Sequence, residues 1–308
     1  MDKIYPQLDK DSRLRTGFNL HGTTSGRLSS SGKMNMQQIP RDNPIVKGCM
    51  RAAKGNKIVA MDLTTAEVYV AAVLAKDENL MDVFRQGGNF HSTIAKLVFN
   101  LPCEAEDVAE HYSTQRQAAK AVTFGIMYGA GANKISQQVT ADSGKNFSKG
   151  DAQEVIDDYF RQFHKLKKWI DHSSKYIMDN GFIYSQYGRK RRLPNVRSDN
   201  QGIQSHEVRS GLNFLVQSVA SDINLLGAID THNHIKSINK TKEMRIFALV
   251  HDSILAEVDE GYVDEYMEIV QKCIQKDRGI YIPGCPVGCD FDVGDDYSFG
   301  KFEKMYDI

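Results

Sequence analysis

The sequence predicts an α+β protein, with short strands towards its two ends and a mostly helical middle. Three observations carry that prediction. The run Lys57 to Met61 and the two apolar runs flanking His251-Asp252-Ser253 have strand composition, the second pair with a tight turn between them. The stretches from about Asn79 to Val139, Asp151 to Asn180 and His206 to His232 carry apolar residues at helical spacing instead. With 308 residues, 41% of them apolar, 25% charged and a mean hydropathy of −0.44, the chain can bury a sizeable core and has a globular composition. No unbroken apolar run reads as long enough to cross a bilayer, so no membrane association is expected.

The elements follow in order. Leu20 to Pro44 is rich in Ser, Gly, Thr and Asn, which predicts irregular, ligand-contacting backbone. Lys57 to Met61 is the first strand, with Asp62 at its end, and Thr64, Ala66, Glu67, Ala71, Ala72 and Leu74 then suit a helix. Helical patterning from Asn79 breaks at Gly87-Gly88 and at Pro102, and Asp151 to Asn180 reads as one long helix closed by Gly181. GFIYSQYGRKRRLPNVR turns β-like and then basic. The following helix sets Leu212, Leu215, Val216, Val219 and Ile223 on one side. RIFALVHDSILAEVDE is the hairpin; an amphipathic helix over Val263 to Lys276 and a short mixed end containing FDVGDDYSF complete the chain.

Charge and cysteine content narrow the function. Lys plus Arg and Asp plus Glu both number 39, a formal charge of zero, which excludes holding nucleic acid by bulk charge alone but allows a local basic groove. The five cysteines are an odd number and the N-terminal MDKIYPQLDKDSR is too polar for a signal peptide, so a reducing, cytoplasmic compartment is expected. Cys285 and Cys289 lack a matching second pair of ligands and read as free thiols rather than a zinc site.

Two constellations carry chemistry. Arg116, Lys120, Phe124 and Tyr128 recur at steps of four in RQAAKAVTFGIMYG, which places two cations and two rings along one helix face. Such a face can grip a polyphosphate and stack against a base. The competing reading is an ordinary amphipathic helix with core aromatics and solvated cations. Asp62 and Asp252, far apart in sequence, each end a predicted strand. Two converging carboxylates suit a hard divalent ion such as Mg²⁺, although a single Asp at a strand end is ordinarily a cap or turn residue. Arg189-Lys190-Arg191-Arg192, with Arg197 behind, is the one dense basic patch, whereas Asp295 and Asp296 read as surface residues.

In order, TTSGRLSS, DLTTAE, RQAAKAVTFGIMYG, GRKRRLP and HDS resemble the polymerase module of the family A DNA polymerases, over about Thr23 to Val258. The wording DLTTAEV is nearer to bacteriophage members. The resemblance implies a palm, an antiparallel sheet with helices (1–75 and 203–308), interrupted by a mostly helical fingers segment (76–202). It implies that Asp62 and Asp252, with the backbone carbonyl of Leu63, hold two Mg²⁺ ions, and that Glu67 is the gate against ribonucleotides. Arg116, Lys120 and His91 would contact the incoming deoxynucleoside triphosphate, Lys120 also as proton donor to pyrophosphate. Phe124 would lie by the sugar and Tyr128 at the insertion site. Arg27, Asn35, Gln37, Arg209, Asn213, Gln217 and His251 would meet the primer-template, and Arg189, Arg191 and Arg192 its backbone.

There are departures from the family pattern. Ser253 stands where many members have Glu, Thr64-Thr65 replaces a Ser-Gln or Ser-Gly pair, and the interval from His91 to Arg116 is longer than in bacterial members. Only 26 residues precede Arg27, so the thumb and 3′–5′ exonuclease of the family are expected on a second polypeptide, unless the sequence is a truncated part of a longer chain. Two other functions stay open at this point: a single-subunit RNA polymerase, which would want a small residue at Glu67, and a binding subunit that has lost the chemistry.

Overall fold

The computed structural model of the chain describes residues 5–32, 35–39 and 43–301. Its first elements are β1 (Gly17–Asn19), β2 (Ser29–Ser31), α1 (Pro44–Gly48) and β3 (Asn56–Thr64). The helices α2 (Ala66–Ala75), α3 (Glu78–Gln86), α4 (Phe90–Phe99), α5 (Val108–His111), α6 (Ser113–Met127), α7 (Ala132–Ser143), α8 (Lys149–Gln162) and α9 (His164–Asn180) follow. The chain continues through β4 (Phe182–Tyr184), β5 (Lys190–Arg192), α10 (Gln201–Ser237), β6 (Met244–Val250), β7 (Ser253–Asp259), α11 (Val263–Ile274) and β8 (Gly288–Gly294). Two compact units result, 1–64 with 220–278 and 287–308, and 65–219 with 279–286. These units break after Thr64 and Val219, whereas the sequence motifs divide the chain after 75 and 202.

The first unit is built on an antiparallel sheet of order β6-β7-β3-β8. Its central strand β3 buries Ile58 to Met61 without alternation, because both faces of the sheet are covered. Ala60, Ala248 and Leu255 pack with Phe18, Val250, Tyr297 and Phe299 on one face. Tyr266, Ile269, Val270 and Ile274 give α11 its buried stripe. Glu257, buried in β7, accepts from the backbone N–H of Ala53 at 2.8 Å and pairs with Arg245 at 3.2 Å, so its charge is matched.

The second unit is helical apart from the β4–β5 hairpin. Ile177, Ile183, Leu193, Val196, Leu212, Phe214 and Leu215 form the core that seats the hairpin on α9 and α10. Gly181 ends α9 with φ +73°, a left-handed C-terminal cap.

Four expectations change in detail. The helix expected over Asp151 to Asn180 is two, α8 and α9, interrupted at buried Phe163. The cause is tertiary: buried Asp77 caps α3 through Leu80 N–H at 3.2 Å and with its other oxygen takes Leu166 N–H at 2.8 Å, starting α9 afresh. The first strand runs on to Thr64, carried by pairing on both sides rather than by its own apolar run. The mixed end contains β8, an edge strand whose polar residues hide it from an apolar pattern. Finally, α10 spans 37 residues and is apolar enough to cross a membrane by length and composition, but 72% of its apolar window is buried in the protein, as in a core helix.

Candidate functional site

In the first unit, the site lies where β3 nears its end and β7 begins. Their antiparallel register sets Asp62 opposite Ser253, and Leu63 N–H donates to the carbonyl of Asp252 at 3.3 Å. The two aspartates that sequence reasoning singled out therefore stand beside one another, Asp62 two residues short of the end of β3 and Asp252 in the turn just before β7. Strands β6 and β7 meet through the two-residue turn His251-Asp252, with His251 exposed and held at φ +55°, a conformation glycine would favour.

Each carboxylate is already engaged. The Ser253 hydroxyl donates to Asp62 in a short hydrogen bond. One guanidinium nitrogen of Arg27 lies 3.0 and 3.2 Å from the two carboxylate oxygens of Asp252. Gln37 fixes the loop that brings Arg27 there: its amide donates to the carbonyls of Leu28 and Leu249 at 3.1 and 3.3 Å and accepts from Ser30 N–H at 3.0 Å. Asn35 caps the short turn that positions Gln37, accepting its N–H at 3.0 Å. Burial, then the Asp62 charge, push the Tyr297 phenol up, which marks that ring as a neighbour of the carboxylate.

Asp290 on β8 faces Asp62 across the sheet, a neighbour the sequence reading did not find because β8 has no apolar alternation. Among the described residues no cluster of three or more His, Cys, Asp or Glu side chains is arranged to hold a metal. Two carboxylates remain, an oxygen donor set that suits a hard divalent ion keeping several waters. Burial pushes the Cys289 thiol up to about 12 and raises Cys285 as well, so both are neutral thiols.

In the second unit, the step-of-four stripe of α6 is on the outside. Ala118, Ala119, Ala121, Val122 and Thr123 are buried, Lys120 is exposed, Arg116 and Phe124 are half-buried, and Tyr128, just past the helix end, is 41% exposed. Tyr128 is therefore not a core aromatic, whereas Phe124 is partly packed. Arg116 is docked on the first turn of α4, donating to Ser92 Oγ at 3.2 Å and Asn89 Oδ1 at 3.3 Å. His91, second residue of α4, stacks towards Phe124 with ring centroids 5.3 Å apart. Burial first, then Lys120 and Arg116, lower its imidazole to about 4, so it is neutral at physiological pH. Its buried Nδ1 has no hydrogen-bond partner among the described residues.

Glu67, buried on the first turn of α2, accepts from the Tyr128 phenol at 2.6 Å. The turn after α6 needs Gly129: φ is +64°, and a Cβ there would lie 2.2 Å from the Arg209 side chain, whose stem lies on the glycine backbone. Arg209, Asn213 and Gln217 make one half-buried polar line on α10 amid buried neighbours, and Asn213 Oδ1 is a buried acceptor with no partner among the described residues. The basic run splits. Arg189 donates to Ser218 at 2.5 Å and Arg191 to Ser210 at 3.0 Å, both on α10, while Lys190 and Arg192 face outwards.

Comparison with known proteins bears on both units. A family model described as DNA polymerase family A matches residues 1–298. The DNA polymerase of Escherichia phage T5 is 50% identical over 99% of this chain and 38% of its own length. The thermostable DNA polymerase I of Thermus aquaticus is 28% identical over 97% of this chain and 34% of its own. The higher identity to the phage protein agrees with the wording of the DLTTAEV segment. A solved structure, the POL domain of Pol1 from M. smegmatis in complex with DNA primer-template and dNTP, matches with a TM-score of 0.84 and 25% identity over 97% of this chain and 50% of that one. The chain thus spans little more than a third of the length of these curated relatives.

Proposed function

The chain belongs to DNA polymerase family A, and on that footing we propose that it carries the catalytic part of a template-directed DNA polymerase, transferring deoxynucleotides to a primer 3′-hydroxyl. The observation that carries the proposal is the placement of Asp62, near the end of β3, beside Asp252, just before β7, with Leu63 N–H bonded to the Asp252 carbonyl. Asp62, Asp252 and the carbonyl of Leu63 would hold two Mg²⁺ ions. Bound there, the ions would neutralise charge on the attacking and leaving oxygens of an in-line phosphoryl transfer.

The remaining roles fall to the chain's own residues. Arg116 and Lys120 grip the triphosphate, and Lys120 gives a proton to the departing pyrophosphate. Neutral His91 contacts phosphate as a hydrogen-bond donor rather than as a charge. Phe124 lies by the sugar, and Tyr128 holds Glu67 in place to crowd a 2′-hydroxyl. Arg27, Asn35, Gln37, Arg209, Asn213, Gln217 and His251 meet the duplex. Minor-groove acceptors are shared by all base pairs, so such contacts test pair shape without reading sequence. Arg189, Arg191 and Arg192 meet backbone phosphate. Functionally, residues 1–75 and 203–308 act as palm and 76–202 as fingers.

One measurement tests this reading. In primer extension with mixed nucleotides, Glu67→Ala should raise ribonucleotide incorporation at least about 10-fold relative to deoxynucleotide; an unchanged ratio overturns the gate.

A further inference from the structure

The β4–β5 hairpin has an exposed face on which the roles above use only Arg192. Its strands are three residues each, so side chains alternate cleanly between two faces. Ile183 and Arg191 form one face, the first buried in the core and the second bonded to Ser210. The other face presents Phe182, Tyr184, Lys190 and Arg192 together. The Lys190 ammonium sits 3.9 Å from the Phe182 ring centroid and 5.4 Å from that of Tyr184. Phe182 and Tyr184 are 5.6 Å apart, edge to face, and Tyr176 of α9 adds a third ring 6.1 Å from Phe182.

These rings are not core. Tyr176 and Tyr184 are 38% and 49% exposed. Between them opens a groove of about 380 Å³, walled also by Trp169 and edged by His172, Ser173 and Gln186. Exposed ring faces, cations at their rim and an adjoining cleft with donors and acceptors are the parts from which sequence-tolerant single-strand sites are built. A duplex offers grooves only base edges, so it cannot use the ring faces. The cations favour a polyanion over an apolar peptide.

We propose that this hairpin face is a subsite for single-stranded DNA: bases stack on Tyr184 and Tyr176 while Lys190 and Arg192 meet the phosphates between them. The proposal rests on the DNA-binding reading above and extends it to single strand beyond the duplex. The test is fluorescence anisotropy of the full chain with a labelled oligo-dT and with a blunt duplex of equal length, across a salt series. Tyr184→Ser and Tyr176→Ser should each weaken oligo-dT binding about 10-fold and leave the blunt duplex unaffected, and Tyr184→Phe should bind as the parent does. Lys190→Gln should lower the salt slope for oligo-dT by about 0.7. Unchanged oligo-dT affinity in correctly folded Tyr184→Ser protein, as a protein-docking surface would give, overturns the proposal. An equal loss on blunt duplex does so too. A parent chain that binds and extends primer-template but ignores oligo-dT removes the subsite and leaves the polymerase reading standing.

Discussion

His91 is a half-buried imidazole beside two cations, held neutral down to about pH 4. In the unfolded chain its value returns to about 6.5. Between these values the unfolded state binds more protons, so stability falls as pH drops from about 6.5 to 4 and levels off below. After discounting for partial exposure, the contribution is roughly 1–2 kcal/mol. Chemical denaturation at pH 7 and pH 4.5 should show this difference in the parent and lose it in His91→Gln. Tyr128 offers a second test at this scale. Tyr128→Phe removes the phenol donor to buried Glu67, which should cost about 1–3 kcal/mol of stability and loosen discrimination against ribonucleotides, as measured by competitive incorporation. Sequence showed the stripe from Arg116 to Tyr128 because step-of-four spacing is a local signal. It could not show that Tyr128 reaches Glu67, or that Asn89 and Ser92 receive Arg116, because those contacts join residues remote in sequence.

At the scale of elements, two turns position the site. The turn after α6 tolerates only glycine at 129, where both φ and the stem of Arg209 exclude a Cβ. Gly129→Ala should therefore lower stability by about 2–3 kcal/mol, read by denaturant midpoint, and displace Arg209. At the β6–β7 turn the logic reverses. His251 holds a left-handed conformation that costs roughly 1 kcal/mol, so His251→Gly should raise the melting temperature by a few degrees. The hairpin itself was legible from two apolar runs around HDS, as was the C-terminal glycine of α9. The break at Phe163 was not, since its cause is Asp77 reaching back from α3 to cap a helix far along the chain. Strand β8 was missed because an edge strand needs no apolar pattern when its partner β3 supplies the buried surface.

Over the whole molecule, the formal charge of zero has a spatial meaning. Four candidate-site arginines are committed within the protein: Arg27 to Asp252, Arg116 to α4, Arg189 and Arg191 to α10. Asp62 and Asp252, the candidate metal-holding pair, are separated by almost the whole helical middle, so only fold-level resemblance could pair them in advance. The central claim is that this pair performs metal-dependent nucleotidyl transfer. It is tested most directly by single-turnover incorporation of one templated deoxynucleotide, at saturating primer-template and Mg²⁺, by the parent, Asp62→Ala and Asp252→Ala. Losing several kcal/mol of transition-state stabilisation should slow each variant by at least about 1,000-fold with its fold intact. Incorporation at the parent's rate in either variant would contradict the account.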